Sequence, residues 1–337
     1  MAPANFLPEK TMPASAELKR NLFCISFLAD YEQIFWTLAS SAQFDIHAVQ
    51  LKKEARKKLL YRFTPAFKRQ FLYDQILREL FDRDAQALFV IDEREEVLHY
   101  VVENRPQRDI AVVVRNPIAT KKAALHLLQQ VKALGYPIFS FDPQDCRDHG
   151  FGFYRQYAAR LPDVSLPDEE ADFCFFGRDK GRREQVEELA RQLQGKGFKT
   201  AATFVRTDRP KGFFKRKLNR KKPNIPYRDY LAASLSARCI IDILQPGQSG
   251  LTLRPLEAML YQRKLLTNNR VVASEPLYHP DNIFILKDGD SLEGIEDFMK
   301  RPFRDPGQDV TGLYSVDALI RQITDAEGIK SPPVPAA

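Results

Sequence analysis

Residues 239–269 read CIIDILQPGQSGLTLRPLEAMLYQRKLLTNN. The run Cys239 to Leu244 is short, rich in β-branched residues and bounded by Pro246 and Gly247, as expected of a buried strand. A loop with two glycines follows. Leu256, Met259 and Leu260 then recur at helical spacing, Pro255 suits the first helical position, and Glu257 and Ala258 are good helix formers. Strand, Gly-rich turn and helix in this order aim backbone N–H groups at whatever sits above the strand, which suits a phosphate. Arg254 adds a positive charge, and Glu257 adds an acceptor one helical turn away. The pair is suited either to the phosphate and sugar hydroxyl of one nucleotide ligand or to a structural salt bridge with each other.

Outward from this stretch the same pattern repeats. Upstream, Ala171–Phe176 reads as a strand, Gly177–Gly181 as a turn and Arg183–Leu193 as a helix. Lys199–Val205 is a further strand and Tyr227–Leu235 a short helix. Downstream, Lys264–Thr267 and Ile283–Leu286 are short strands, and a helix through Leu319 and Ile323 precedes a Pro-rich tail. The first half carries its own set of strands, over 21–29, 44–51, 85–92, 109–114 and 137–141, with helices through Trp36 and over 122–134. Strands alternating with helices predict parallel sheets, whose ligands bind beyond the carboxyl ends of the strands. PDVSLPDEE at 162–170 reads as a linker. The expected organisation is a tail over 1–18, one Rossmann-like domain over 19–165, a second over 166–326, and a tail over 327–337. A ligand between the two would touch both sets of strand ends.

Composition narrows the class. With 337 residues, 44% hydrophobic and 28% charged, the chain is long enough for two globular cores. Its net charge of +7 and pI near 9.1 favour anionic partners. No apolar run approaches the roughly 18–20 residues of a membrane span, and the first twenty residues lack the apolar core of a signal peptide, so a cytoplasmic protein is expected. Cys24, Cys146, Cys174 and Cys239 show no CxxC spacing, which argues against a zinc site or a disulfide framework.

DFCFFGRDKGRREQVEELARQLQGKGF at 172–198 and IPYRDYLAASLSARCIIDILQPGQSGLTLRPLEAMLYQRKLLTNN at 225–269 resemble the C-terminal half of bacterial GT-B glycosyltransferases of surface polysaccharide and lipopolysaccharide assembly. FSFDPQDCRDHGFGFY at 139–154 is similar to a segment of the same proteins. The resemblance implies two Rossmann-like domains facing across a cleft, with a nucleotide-sugar donor on the second domain and a glycan or glycolipid acceptor on the first. It further implies that Gly177, Arg178, Asp179 and Lys180 face the donor diphosphate, and that Gln245, Gly247 and Gln248 line the sugar or base. By the same likeness Ser249, Gly250, Leu251 and Thr252 bring N–H groups and a hydroxyl to the phosphates, while Glu257 holds the ribose. The chain departs from the Glu-x7-Glu pattern of retaining members, having Ser249 where the first Glu stands.

In glycosyl transfer the leaving diphosphate develops negative charge, and without a metal it falls to cationic side chains to stabilise it. Arg254 and then Arg178 are the leading choices, with Lys180 and Arg182 beside them; Arg182 and Arg183 fit a solvated first helical turn as well. A general base, if the reaction inverts configuration, belongs in the first domain. Asp30 on the loop after the first strand, Asp92 at the end of AQALFVID, and His149 are the candidates, each carboxylate also fitting a cap or surface role. Asp82/Asp84 and Asp288/Asp290 have DxD spacing away from the strand ends, so no catalytic metal and no cofactor are expected. Lys52–Arg69 and Lys211–Lys222 interleave cations with aromatics, which suits an anionic membrane surface, and peripheral attachment at the inner face of the inner membrane, or else solvated loops. Two other function classes stand beside the enzyme. One is a catalytically silent GT-B-like binding subunit. The other is a basic nucleic-acid-binding protein, disfavoured because no recognised nucleic-acid-binding motif is present.

Overall fold

The computed structural model describes residues 19–25, 29–57, 69–120, 122–205, 225–287 and 291–325. Both tails, the middle of the Lys52–Arg69 run, the basic loop through Lys211–Lys222 and the Asp288/Asp290 pair lie outside the described residues.

The first half runs β1 (Arg20–Ile25), α1 (Asp30–Leu38), β2 (Phe44–Val49), α2 (Leu51–Lys57), α3 (Arg69–Phe81), β3 (Leu88–Asp92), α4 (Glu95–Asn104), β4 (Asp109–Val114), α5 (Lys122–Ala133), β5 (Ile138–Ser140), α6 (Pro143–His149) and β6 (Gly152–Phe153). All of its strand pairs are parallel, in the order β2-β1-β3-β4-β5-β6. The second half runs β7 (Ala171–Arg178), α7 (Arg183–Gly195), β8 (Thr200–Val205), α8 (Tyr227–Leu235), β9 (Ala237–Asp242), α9 (Arg254–Leu260), β10 (Lys264–Thr267), β11 (Ile283–Ile285), α10 (Ile295–Lys300), α11 (Gly307–Gly312) and α12 (Val316–Asp325). Its sheet is parallel too, in the order β11-β10-β9-β7-β8. The fold is therefore two parallel-sheet α/β domains, the architecture of two Rossmann-like units. In each sheet the strand order reverses once, between β1 and β3 and between β7 and β9. A crevice opens at such a point because the connections on its two sides leave in opposite directions.

Helices cover both faces of the sheets, so β3 and β4 are nearly continuous apolar runs. Alternation still sorts their side chains. Phe89, Ile91, Val112 and Val114 join a cluster closed by α3, α4 and α5. Leu88, Val90, Ala111 and Val113 belong to a larger cluster that continues through Tyr154 and Tyr157 into Leu256, Leu319 and Ile323. One apolar core thus runs through both domains, and each fully buried Leu, Val or Phe in it contributes roughly 1.5–3 kcal/mol relative to exposure. Polar contacts accompany it: Ala158 N donates to the Tyr314 carbonyl at 2.9 Å, and Arg155 N to Gln322 Oε1 at 2.8 Å. Cys24, Cys174 and Cys239 are buried free thiols in strands.

Several boundaries differ from the sequence expectation. Gly177 and Arg178 are not in a turn; they are the last residues of β7, extended by pairing with Phe204 and Val205 of β8. Asp30 is the first residue of α1, not part of a loop. Helix α9 begins at Arg254, which puts Pro255 second. Leu51 opens a helix in place of ending a strand.

Candidate functional site

The second-domain switch point collects charge. Asp242 ends β9 fully buried, accepting from Thr252 Oγ1 at 3.0 Å and Thr267 Oγ1 at 3.2 Å. Arg254 Nη1 lies 3.4 Å from Asp242 Oδ1, and Nη2 donates to the Phe176 carbonyl at 3.1 Å. Gly177 makes room for this guanidinium, since a Cβ there would stand 2.6 Å from Arg254 Nη2. Arg182 is buried as well, contrary to a solvated helical turn, and donates to the carbonyls of Ile243 and Arg178. Both guanidinium carbons stand 5.1 Å from the centre of the Phe175 ring. Arg183, by contrast, faces solvent and pairs with Asp179 and Glu187.

Four cations, Arg178, Lys180, Arg182 and Arg254, thus gather at the ends of β7 and β9, with Asp242 ion-paired to Arg254. Among the described residues, the buried Nε atoms of Arg182 and Arg254 have no hydrogen-bond partner. Desolvation, then repulsion from Arg182, Arg178 and Arg254, pushes the Lys180 ammonium down to about 8, although its side chain still reaches solvent. Desolvation and Arg254 likewise push Arg182 down to about 10. Arg254 differs: burial disfavours its charge, but Tyr230, Asp242 and Glu257 raise its pKa. The lowered Lys180 and Arg182, beside the unpartnered Nε atoms, are suited to an anion.

Glu257 is 1% exposed and accepts from Tyr227 Oη at 3.0 Å and Tyr230 Oη at 3.4 Å. The expected alternative of an Arg254–Glu257 salt bridge does not form, because Arg254 pairs with Asp242. Burial pushes Glu257 up to about 7, with Arg254 and the two tyrosines opposing the rise. In the Gly-rich loop Gly247 adopts φ 77°, which favours glycine. Gln248 N closes the turn onto the Gln245 carbonyl at 3.2 Å, both side chains being half-buried. Leu251 is buried in the core, and Thr252 is bound to Asp242. Ser249 N and Gly250 N donate to Asp142 Oδ2 of the first domain at 2.9 and 3.0 Å, so the N–H groups expected to face a phosphate already hold a carboxylate.

In the first domain, Asp92 ends β3 beside the switch point. Burial, then the charge of Glu93, raises its pKa well above the usual range despite contacts from Arg94. Asp30 is exposed at the domain junction, where Oδ2 accepts from Tyr227 N, the start of α8, at 2.6 Å. His149 is elsewhere. Helix α6 runs back from the carboxyl end of β5, so His149 at its last turn lies at the opposite end of the sheet, where its carbonyl accepts from Lys132 Nζ at 2.6 Å. Asp82 and Asp84 follow α3, and Asp84 holds Asn21 at the start of β1. Among the described residues no group of three or more His, Cys, Asp or Glu could hold a metal ion.

Sequence reasoning missed Asp142, Asp242, Glu32, Glu93 and Arg115. Asp242 ends a strand as Asp92 does, a signal hidden within the apolar run CIIDIL. Asp142 precedes Pro143 as a helix cap does, and it accepts from Gln144 N at 2.9 Å. Arg115 follows β4 and is buried, donating to Glu32 at 3.0 Å and to Tyr154 Oη and Gln156 Oε1 at 2.8 Å each.

No protein-family model matches the sequence, and no curated protein matches it. Solved structures do match. The chain is similar to a UDP-GlcNAc 2-epimerase of Methanocaldococcus jannaschii, at 11% identity over 92% of this chain and 100% of that one, with a TM-score of 0.46. It is similar to a UDP-forming α,α-trehalose-phosphate synthase of Burkholderia xenovorans, at 10% identity over 91% and 96%, with a TM-score of 0.47. Anabaena HepE, solved in complex with UDP, overlaps at 12% identity over 91% and 98%, with a TM-score of 0.46.

Proposed function

We propose that the chain is a glycosyltransferase that moves a sugar from a nucleotide-sugar donor to a glycan or lipid-linked saccharide in cell-surface polysaccharide assembly. The observation that carries this reading is the cluster of Arg178, Lys180, Arg182 and Arg254 at the second-domain switch point, with the buried Nε donors of Arg182 and Arg254 unpartnered among the described residues. A nucleoside diphosphate answers both the charge and the place, since open α/β sheets hold nucleotides at this crevice. Gln245, Gly247 and Gln248 line the sugar, and Thr252 orients Arg254 through Asp242. Glu257 takes the ribose if the long 3.4 Å bond from Tyr230 gives way.

In a single displacement, the bond from the anomeric carbon to the diphosphate oxygen breaks as the acceptor oxygen bonds to that carbon. The acceptor's proton passes to a base, and the diphosphate leaves toward the cations, which serve in place of a metal. Asp30 is assigned the base: it is exposed at the junction, whereas Asp92 is buried and paired with Arg94, and His149 lies at the far end of the sheet. Lys52, Lys53, Arg56 and Lys57 are exposed on α2, and Phe71 of α3 is 72% exposed. That surface fits an anionic leaflet bearing the acceptor, in keeping with a cytoplasmic enzyme at the inner face of the inner membrane.

A thermal-shift panel of UDP, GDP, ADP and TDP with their sugar derivatives tests the donor site. A ligand at about 100 times its Kd stabilises by roughly 2.7 kcal/mol, and a panel with no shift defeats the reading. Co-sedimentation with anionic and neutral liposomes tests the surface; equal partition would remove it. Ser249 at the Glu position favours one second reading, a binding subunit without turnover, which release of free sugar or transfer by the purified chain would eliminate.

A further inference from the structure

We propose that Asp142 is a positioning residue: a first-domain carboxylate that grips the Gly-rich loop of the second domain and so sets the place of the donor cations across the cleft. This rests on the donor reading for its effect on binding, though not for its effect on the domains.

Asp142 is 1% exposed. Oδ2 accepts from Ser249 N and Gly250 N, and Oδ1 from Gln144 N and the Ser249 hydroxyl. A carboxylate offers about four acceptor positions. All are taken, which excludes Asp142 as a base or a sugar contact and leaves it the role of a grip. Burial alone would raise its pKa, but the bonds from Ser249, Gly250 and Gln144 overcome this and hold it below the usual range, so the grip is charged at neutral pH.

Shape matches charge. A Cβ on Gly250 would stand 2.7 Å from the Phe141 carbonyl oxygen and 3.0 Å from the Asp142 Cα, both backbone atoms that no rotamer change can move aside. The loop is fixed from below as well. Asn269 Nδ2 donates to the Gly250 carbonyl at 3.3 Å, Asn269 N to Thr267 Oγ1 at 3.0 Å, and Thr267 Oγ1 to Asp242, the partner of Arg254. A continuous chain of hydrogen bonds therefore joins Asp142 to the guanidinium 112 positions later in the sequence.

Two variants attack the contact from opposite sides. Asp142→Asn removes the charge and turns an amide toward N–H donors, while Gly250→Ala wedges the backbones apart with the carboxylate intact. Small-angle scattering and titration with inorganic pyrophosphate are measured on the full chain. Both variants should show a larger radius of gyration than wild type and bind pyrophosphate roughly tenfold more weakly. The double variant should lose little beyond either single one, because both break one contact. If Asp142→Asn does not fold, Gly250→Ala decides alone. Unchanged scattering and affinity with only a lower Tm would overturn the proposal and leave Asp142 a packing residue. A wild type that binds no pyrophosphate defeats the donor reading instead, and scattering then decides the grip.

Discussion

Arg115 and Arg182 are both buried cations near the strand ends of their domains, yet their surroundings differ in kind. Arg115 meets Glu32, Tyr154, Gln156 and, 4.3 Å above its ring centre, Tyr157. Burial disfavours its charge, but Tyr154, Tyr157 and Glu32 more than offset that and raise its pKa. Arg182 has carbonyls for partners and an unpartnered Nε, and burial, then the like charge of Arg254, lowers its pKa. A cation that is fully answered holds a domain together. One that is left under-answered waits for a ligand, and removing each should therefore fail in a different assay.

The largest effect is expected from Arg115→Met. It leaves Glu32 buried and uncompensated, which costs about 3–5 kcal/mol; urea unfolding should show this loss, and a stable variant would break the contrast. Next comes Glu257, buried against Tyr227 and Tyr230. Its folded pKa of about 7 lies above the ordinary glutamate value, so between about pH 4.5 and 7 the native state holds a proton that the unfolded chain releases. Wild-type stability should fall by roughly 3 kcal/mol as pH rises through that window, and Glu257→Gln should flatten the slope.

Arg182→Met orphans no carboxylate, only the Ile243 and Arg178 carbonyls. It should cost less stability than Arg115→Met, about 1–3 kcal/mol, while weakening nucleoside diphosphate binding by roughly ten- to a hundredfold, near 1.4–2.8 kcal/mol; a larger stability loss with intact binding would put Arg182 in the class of Arg115. The smallest signal belongs to Lys180, with its pKa near 8. A bound diphosphate raises that pKa, so binding at pH 8 should take up a fraction of a proton, seen as a buffer-dependent calorimetric enthalpy, and affinity should decline above pH 8.

What could be read in advance follows the same division. Strands β3 and β4 are visible in the sequence because a parallel strand covered on both faces must be nearly apolar throughout. Helices α2 and α3 are less visible, since their charges mask the apolar spacing. The extension of β7 through Arg178 depends on a partner strand that no local pattern announces. Arg254 and Glu257 could be singled out from spacing, but their partners could not: Asp242 lies 12 positions from Arg254, and Tyr227 and Tyr230 lie 30 and 27 positions from Glu257. The burial of Arg182 was equally hidden, because a basic residue opening a helix normally faces water.

The core that joins Leu88 and Val113 of the first sheet to Leu319 and Ile323 of α12 bears on how the protein is made. Ribosomes deliver the strands of the first domain well before α12, and at about 5–20 residues per second the interval is on the order of ten seconds. For that time one apolar face of the first sheet lacks its final cover. Nascent chains paused between residues 165 and 315 should therefore engage chaperones at that face, and release them when the last helix emerges.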